Sequence, residues 1–286
     1  MGTVPYRWLK ALRIKNVLAR EFLAEFLATF VLILYGDAAF AVQVLEGKIT
    51  DVFAIVWAWG VAVILGVVTA GGLTGGHINP AVTVAFATLG KLPWIKVPVF
   101  LIAQHLGAFV ASAVLFATYY DALNHFDHGV RMVEDTNGTA SALIWATYPK
   151  EFVSIGTCFL DQIVGTGLLM FTALATIDPR NMQMPKWMHP IVLGFMISAT
   201  AMCFGLNCMA PLNPARDFAT RAFTSCAGYG ASPFTYRNYW WVGVVGPHVG
   251  AIVGGWIYYL GIELHWPDPE EEFDKEMDYI EAKNKK

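Results

Sequence analysis

Charge is what this 286-residue chain has least of: Asp, Glu, Lys and Arg make up 14% of it, against about 25% in a typical soluble domain. Beside 56% hydrophobic residues, that shortage excludes an ordinary soluble fold and predicts a protein solvated by lipid bilayer. Cysteine is scarce as well. Cys158, Cys203, Cys208 and Cys226 are the whole set, and none shares an expected external loop with a partner. A disulfide framework is therefore not expected, and the four read as free thiols in or near apolar spans. No cleavable leader is apparent, because the first apolar run is too long and lacks a small-residue cleavage site. The net charge of −3 points to no partner class, and nucleic acid is not expected among the partners. Metal chemistry has little to draw on. His125 and His128 have a possible ligand spacing, but no third ligand or nucleophile stands near them, so neither an enzyme nor a cofactor is expected.

What fills the chain is apolar sequence. Six stretches, 22–42, 52–71, 97–120, 152–177, 188–206 and 239–262, approach the roughly 20 residues that an α-helix needs to cross a bilayer. Two more, 79–89 and 213–224, are about half that length. Each of these opens on the same tripeptide, Asn79-Pro80-Ala81 and Asn213-Pro214-Ala215. Asn caps the first free N–H groups of a helix, and Pro fits the first turn without losing a bond. A capped half-helix can sit at membrane depth only where its non-helical end lines a wet cavity or is buried in protein. A matched pair predicts a pore. The fold class expected is all-α membrane, with six transmembrane helices plus two re-entrant half-helices.

Basic residues set the orientation. Thirteen of the nineteen Lys and Arg fall before the first, third and fifth spans or after the sixth, which places both termini in the cytoplasm. Segment 1–20 is then a cytoplasmic lead-in, 21–262 the channel domain, 121–151 a polar external loop and 263–286 a disordered cytoplasmic tail. The loop carries a permissive acceptor at Asn137-Gly138-Thr139.

The second half echoes the first, about 21–120 against about 152–262. Phe22-Leu23-Ala24-Glu25 aligns with Phe159-Leu160-Asp161-Gln162, and Gln104-His105-Leu106-Gly107 with Pro247-His248-Val249-Gly250. Three spans per half is odd, so the copies insert in opposite orientations and bring their broken helices together at the midplane. Gly246, Gly250 and Gly254 share one helical face and read first as packing within the fold, second as a subunit contact.

The fuller boxes, Gly75-Gly76-His77-Ile78-Asn79-Pro80-Ala81-Val82-Thr83 and Pro211-Leu212-Asn213-Pro214-Ala215-Arg216-Asp217, resemble those of the aquaporin family. Span order, inverted repeat and Glu25 resemble it too, and within it the chain looks like an animal-type aquaglyceroporin. The resemblance implies a plasma-membrane homotetramer with one pore per subunit, passing water, glycerol and related solutes such as urea. Physically, two half-helix ends of about half a positive charge each would meet at the midplane. The amides of Asn79 and Asn213 would each donate to one permeant oxygen, and the positive ends would oppose cations.

At the offsets the family uses, Trp59, Ala201, Ala210 and Arg216 form an outer constriction. Two Ala residues imply a wide ring, with the indole as an apolar wall and Arg216 as donor. An unpaired Arg at membrane depth is expensive, which argues for a wet site; the alternative is a pair with Asp217. Asp217 and Arg221, four apart on one face, mark the polyol subtype, and Gly243-Val244 stands where water channels carry Phe-Trp. Glu25, with Asp161 or Gln162 in the second repeat, is expected to brace the pore loops, and which of the latter two does so is left open. His77 at the inner mouth reads as a static pore-lining group ahead of a pH-responsive one. The rivals are a water-only channel, a junctional protein and a membrane-embedded enzyme.

Overall fold

A computed structural model describes residues 7–47, 51–134 and 138–267, with isolated tail positions at 277, 280 and 283. Asn137 of the acceptor site and most of the expected disordered tail lie outside the described residues, which form helices and no strand. Local sequence explains where the helices begin. Asn16 caps α1 (Val17–Leu45) by accepting from the N–H of Ala19, Asp51 caps α2 (Val52–Thr74) through Ala54, and Ser154 caps α6 (Ile155–Ile177) through Thr157. Between them come α3 (Pro80–Thr88), α4 (Val97–Thr118) and α5 (Tyr120–Asp127). After α6 follow α7 (His189–Phe204), the second half-helix with α8 (Thr220–Thr224), a short α9 (Ser232–Thr235) and α10 (Val242–Gly261). By length and composition α2, α6 and the stretch Trp94–Thr118 can each cross a membrane; α7 is apolar but has 16 residues.

The two half-helices differ. The first is a plain nine-residue helix. The second begins as a wide π-helical turn, Ala215–Ala219, passes through α8 and ends in another, Ser225–Tyr229. Hydroxyls of Thr220 and Thr224 bond the carbonyls of Arg216 and Thr220, four residues back. Such bonds compete with the regular helical ladder.

Glycines let the helices approach, and they do so twice over. A Cβ on Gly107 of α4 would strike the Phe26 carbonyl of α1, and one on Gly250 of α10 would come 2.6 Å from the Ile163 carbonyl of α6. These are equivalent positions of the two halves. Gly246 and Gly254 likewise pack against Gln162 and Gly167 within the same chain. Gly60 of α2 and Gly194 of α7 face each other's carbonyls at 2.6 and 2.5 Å from a built Cβ. Backbone contact of this kind replaces the hydrophobic drive that lipid removes.

Two expectations need correction here. The segment 121–151, expected as a polar loop, holds most of α5 and is buried in part: Trp145, Ala146 and Thr147 are each at most 1% exposed. The head of the tail is also docked. Glu263 meets Lys91 at 2.6 Å, and the indole N–H of Trp266 donates to Asp178 at 3.1 Å.

Candidate functional site

Ile78 and Leu212, each immediately before an Asn-Pro-Ala box, have φ of 45° and 52°. Left-handed backbone is unusual for such side chains and is held by its surroundings. The N–H of Ile78 donates to Glu25 Oε2 at 2.8 Å, and that of Leu212 to Gln162 Oε1 at 3.0 Å. Their carbonyls are taken crosswise. Asn79 Nδ2 donates to the Leu212 carbonyl at 3.0 Å, and Asn213 Nδ2 to the Ile78 carbonyl at 2.8 Å. Each Asn Oδ1 meanwhile caps its own half-helix, through Ala81 at 2.9 Å and Ala215 at 3.0 Å. One amide hydrogen per Asn is left for the cavity.

Glu25 is fully buried and collects four donors: Thr74 Oγ1 and the His77 N–H on Oε1, the Ile78 N–H and Gln104 Nε2 on Oε2. In the second repeat Gln162 makes the backbone bond, whereas Asp161 Oδ2 lies 3.4 Å from the loop's Cys208 Sγ. His77 packs its ring 4.8 Å from Phe86 and 5.3 Å from Phe100, with Nδ1 3.2 Å from Thr83 Oγ1. Thr83 donates its only hydrogen to the Asn79 carbonyl. His77 then donates through Nδ1, and in the neutral ring Nε2 is the acceptor.

At the other end of the cavity, Arg216 is 3% exposed and donates Nη1 to the Trp145 carbonyl at 2.7 Å. Its guanidinium centre lies 4.8 Å over the Trp59 ring and 5.9 Å from that of Phe40. It is therefore neither unpartnered nor paired with Asp217. The cation and the indole form one surface, so one face of Trp59 is already covered. Trp59, His77, Asn79, Ala201, Ala210, Asn213 and Arg216 all line a single cavity of about 1180 Å³. Lys150, before α6, and Lys186, after it, also line it, so the cavity reaches both ends of that helix.

Residues 12–258 match the model of the family described as major intrinsic protein. Aquaporin-9 of Mus musculus is 43% identical, covering 92% of this chain and 90% of that protein. Aquaporin-10 of Homo sapiens is 41% identical over 96% and 90%. The solved aquaglyceroporin of Plasmodium falciparum superposes with a TM-score of 0.76 at 31% identity, covering 84% of this chain and 95% of that one. The chain belongs to the major intrinsic protein family. As a major intrinsic protein it is a membrane channel and not an enzyme.

Asp217 and Arg221 stand apart from the cavity of this major intrinsic protein. They form an ion pair at 2.9 Å with side chains 0% and 1% exposed. Asp217 Oδ1 accepts from the N–H and hydroxyl of Thr147 at 2.9 and 2.6 Å, and Arg221 donates to the carbonyls of Thr147 and Pro233. Pinning Thr147 positions the Trp145 carbonyl two residues earlier, and that carbonyl holds Arg216. The pair acts on the pore from behind.

Sequence reasoning missed Trp145 and Thr147, because only burial singles them out within a polar segment. It also missed Asp37. This α1 carboxyl is fully buried, neither oxygen has a hydrogen-bond partner among the described residues, and the charge of Arg216 acts on it. A lone Asp inside an apolar span was the available signal.

Proposed function

We propose that this channel passes water and glycerol-sized neutral solutes passively, urea among the candidates, and holds back protons and cations. The observation that carries the reading is the crossed pair of Asn79 and Asn213. Their donors face one cavity beside the abutting ends of two half-helices, so a permeant oxygen between them accepts from both sides. A water held in that way turns its own hydrogens outward and cannot relay a proton through the point. The positive helix ends and Arg216 oppose cations.

The wall above favours a solute larger than water. Ala201 and Ala210 leave the ring open, and Arg216 over Trp59 sets N–H donors beside an aromatic ring. A polyol fits by turning hydroxyls to the guanidinium and carbons to the apolar wall. Glu25 and Gln162 brace the two loops, and His77 lines the inner mouth as a static group.

Both termini are assigned to the cytoplasm of a plasma-membrane homotetramer, on the bias of basic residues and on family resemblance. Swelling of liposomes carrying the purified protein tests the central claim, first in a water gradient and then in a glycerol gradient. Both fluxes should exceed those of empty vesicles. Water flux without glycerol flux would leave the water-only alternative standing, and neither flux would leave the junctional one. Tags at Met1 and Lys286 should resist antibody in intact cells until the membrane is permeabilised.

A further inference from the structure

Four charged side chains at or behind the outer constriction are at most 3% exposed: Asp37, Arg216, Asp217 and Arg221. Two of them are paired. Asp217 accepts from the N–H and hydroxyl of Thr147 and from Nε and Nη2 of Arg221, at 2.6 to 3.3 Å. Arg216 and Asp37 are left over. Among the described residues the guanidinium has one acceptor, the Trp145 carbonyl, and neither oxygen of Asp37 has a donor.

The backbone brings these two groups together. The Trp59 ring rests on α1 at Gly36, where a Cβ would come 2.5 Å from the indole. Arg216 lies over that same ring and 5.9 Å from the ring of Phe40, one turn further along α1. Asp37 follows Gly36 and stands one turn before Phe40 and Ala41, all of them buried. Ala41 and Val44 pack with Trp145, Ala146 and Tyr148. Asp37 is thus enclosed between the seat of the guanidinium and the segment whose carbonyl holds it. Among neighbouring charges, that of Arg216 acts on it most strongly and that of Asp217 next. Helix packing does not call for a carboxyl here. Leu174 stands twelve residues after Gln162, as Asp37 does after Glu25, and is buried without charge.

We infer, resting on the transport reading above, that Asp37 is the counter-charge of Arg216 and sets the ion selectivity of the constriction. Arginine keeps its charge in proteins, and an unbalanced cation at membrane depth is expensive. Asp217 cannot balance Arg216, because Arg221 already matches it. With Asp37 ionised the four groups sum to zero; with a neutral group in its place they sum to +1. That excess falls beside permeants, since Arg216 is the one of the two arginines that lines the cavity. A filter with net positive charge turns cations away but draws small anions in. Balanced from behind, the guanidinium still offers N–H donors to hydroxyl oxygens, without an anion leak.

The test compares the full-length protein with Asp37→Asn, which removes the charge and keeps the shape, with Arg216→Gln, and with both together. Planar bilayers in potassium chloride read ion selectivity, and glycerol flux into liposomes runs in parallel. Asp37→Asn should raise chloride conductance about tenfold over the wild type, as one unbalanced charge at the wall implies. Arg216→Gln strands the carboxylate and should admit potassium instead. In the double variant both leaks should shrink, and the loss of melting temperature in detergent should be smaller than the sum of the single losses. Asp37→Asn that passes glycerol and stays as tight to chloride as the parent would overturn the inference. So would additive losses in the double variant. Should Asp37→Asn fold poorly, the double variant decides: a counter-charge predicts recovery when Arg216 is removed as well, and a purely structural carboxyl predicts a worse protein. Wild-type vesicles that pass neither water nor glycerol count against the transport reading, while the melting comparison still decides the pair.

Discussion

The carboxylate of Asp217 fills the space that any side chain at Gly243 would need: a Cβ built there lies 2.7 Å from Asp217 Cγ. The two positions therefore belong together. An Asp after Arg216 is compatible with this fold because α10 carries no bulk opposite it. Gly243→Ala should cost about 1–3 kcal/mol through overpacking and displace Asp217 from Thr147 and Arg221. Thermal unfolding in detergent would report the loss. The same substitution should cost less in an Asp217→Ala background, since neighbours that share a space are not additive. Equal costs in the two backgrounds would dissociate the residues.

Asn79 and Asn213 each spend one amide hydrogen on the opposite loop. In Asn79→Asp or Asn213→Asp a carboxylate oxygen takes the place of that donor, and it faces a carbonyl instead of bonding it. Negative charge then sits against the positive helix ends, and the barrier to cations should fall. Electrical recording on planar bilayers, with solute flux in parallel, should reveal cation current absent from the wild type. Correctly inserted variants as tight to ions as the parent would remove the midplane assignment.

The ring of Trp59, Ala201, Ala210 and Arg216 makes a size prediction. Ala201→His adds an imidazole to the wall, and each added 1.4 kcal/mol or so of steric or desolvation cost slows passage about tenfold. Glycerol flux should fall far more than water flux. Trp59→Ala removes the apolar edge and the ring under the Arg216 guanidinium, so discrimination among polyols of different length should weaken. Stopped-flow light scattering on both variants measures the two effects. A proportional loss of water and glycerol in Ala201→His would place the size limit elsewhere.

A fourth expectation concerns acid. At the C-terminal end of α6, burial pushes the Asp178 carboxyl up. The Arg180 N–H, the Tyr258 hydroxyl, the Trp266 indole and the Arg180 charge outweigh it and hold the carboxyl below its ordinary range. A carboxyl lowered by folding stabilises fully above its unfolded pKa of about 3.9, and that contribution drains away as pH falls through the folded value. Melting temperature should therefore drop as pH is taken below about 4, with a shallower drop in Asp178→Asn, which should start lower at neutral pH. Parallel curves for the two proteins would clear Asp178 of the effect.

Much of this architecture was legible because its signals are local. Asn followed by Pro declares a helix start wherever it occurs, and repeating it between apolar spans declares the pore. Glu25 was legible as an intramembrane carboxylate with no business in lipid. Its partner was not, because Asp161 and Gln162 are adjacent on α6 and only a 3.0 Å contact fifty residues away separates them. The Arg216 ligand escaped for the same reason: Trp145 offers a backbone carbonyl, which every residue has. The π-helical turns of the second half-helix depend on which carbonyls Thr220 and Thr224 reach, and composition does not encode that.

The crossed bonds between the two boxes bear on how the protein is made. When the first half has left the ribosome, the Ile78 carbonyl and one amide hydrogen of Asn79 are without the partners they will keep, since those partners belong to residues 212 and 213. Unsatisfied polar backbone is costly within a bilayer. The first three spans must therefore wait in a wet or sheltered place until about ninety further residues have been synthesised. Neither half is a finished object, and the pore exists only from the moment the second half arrives.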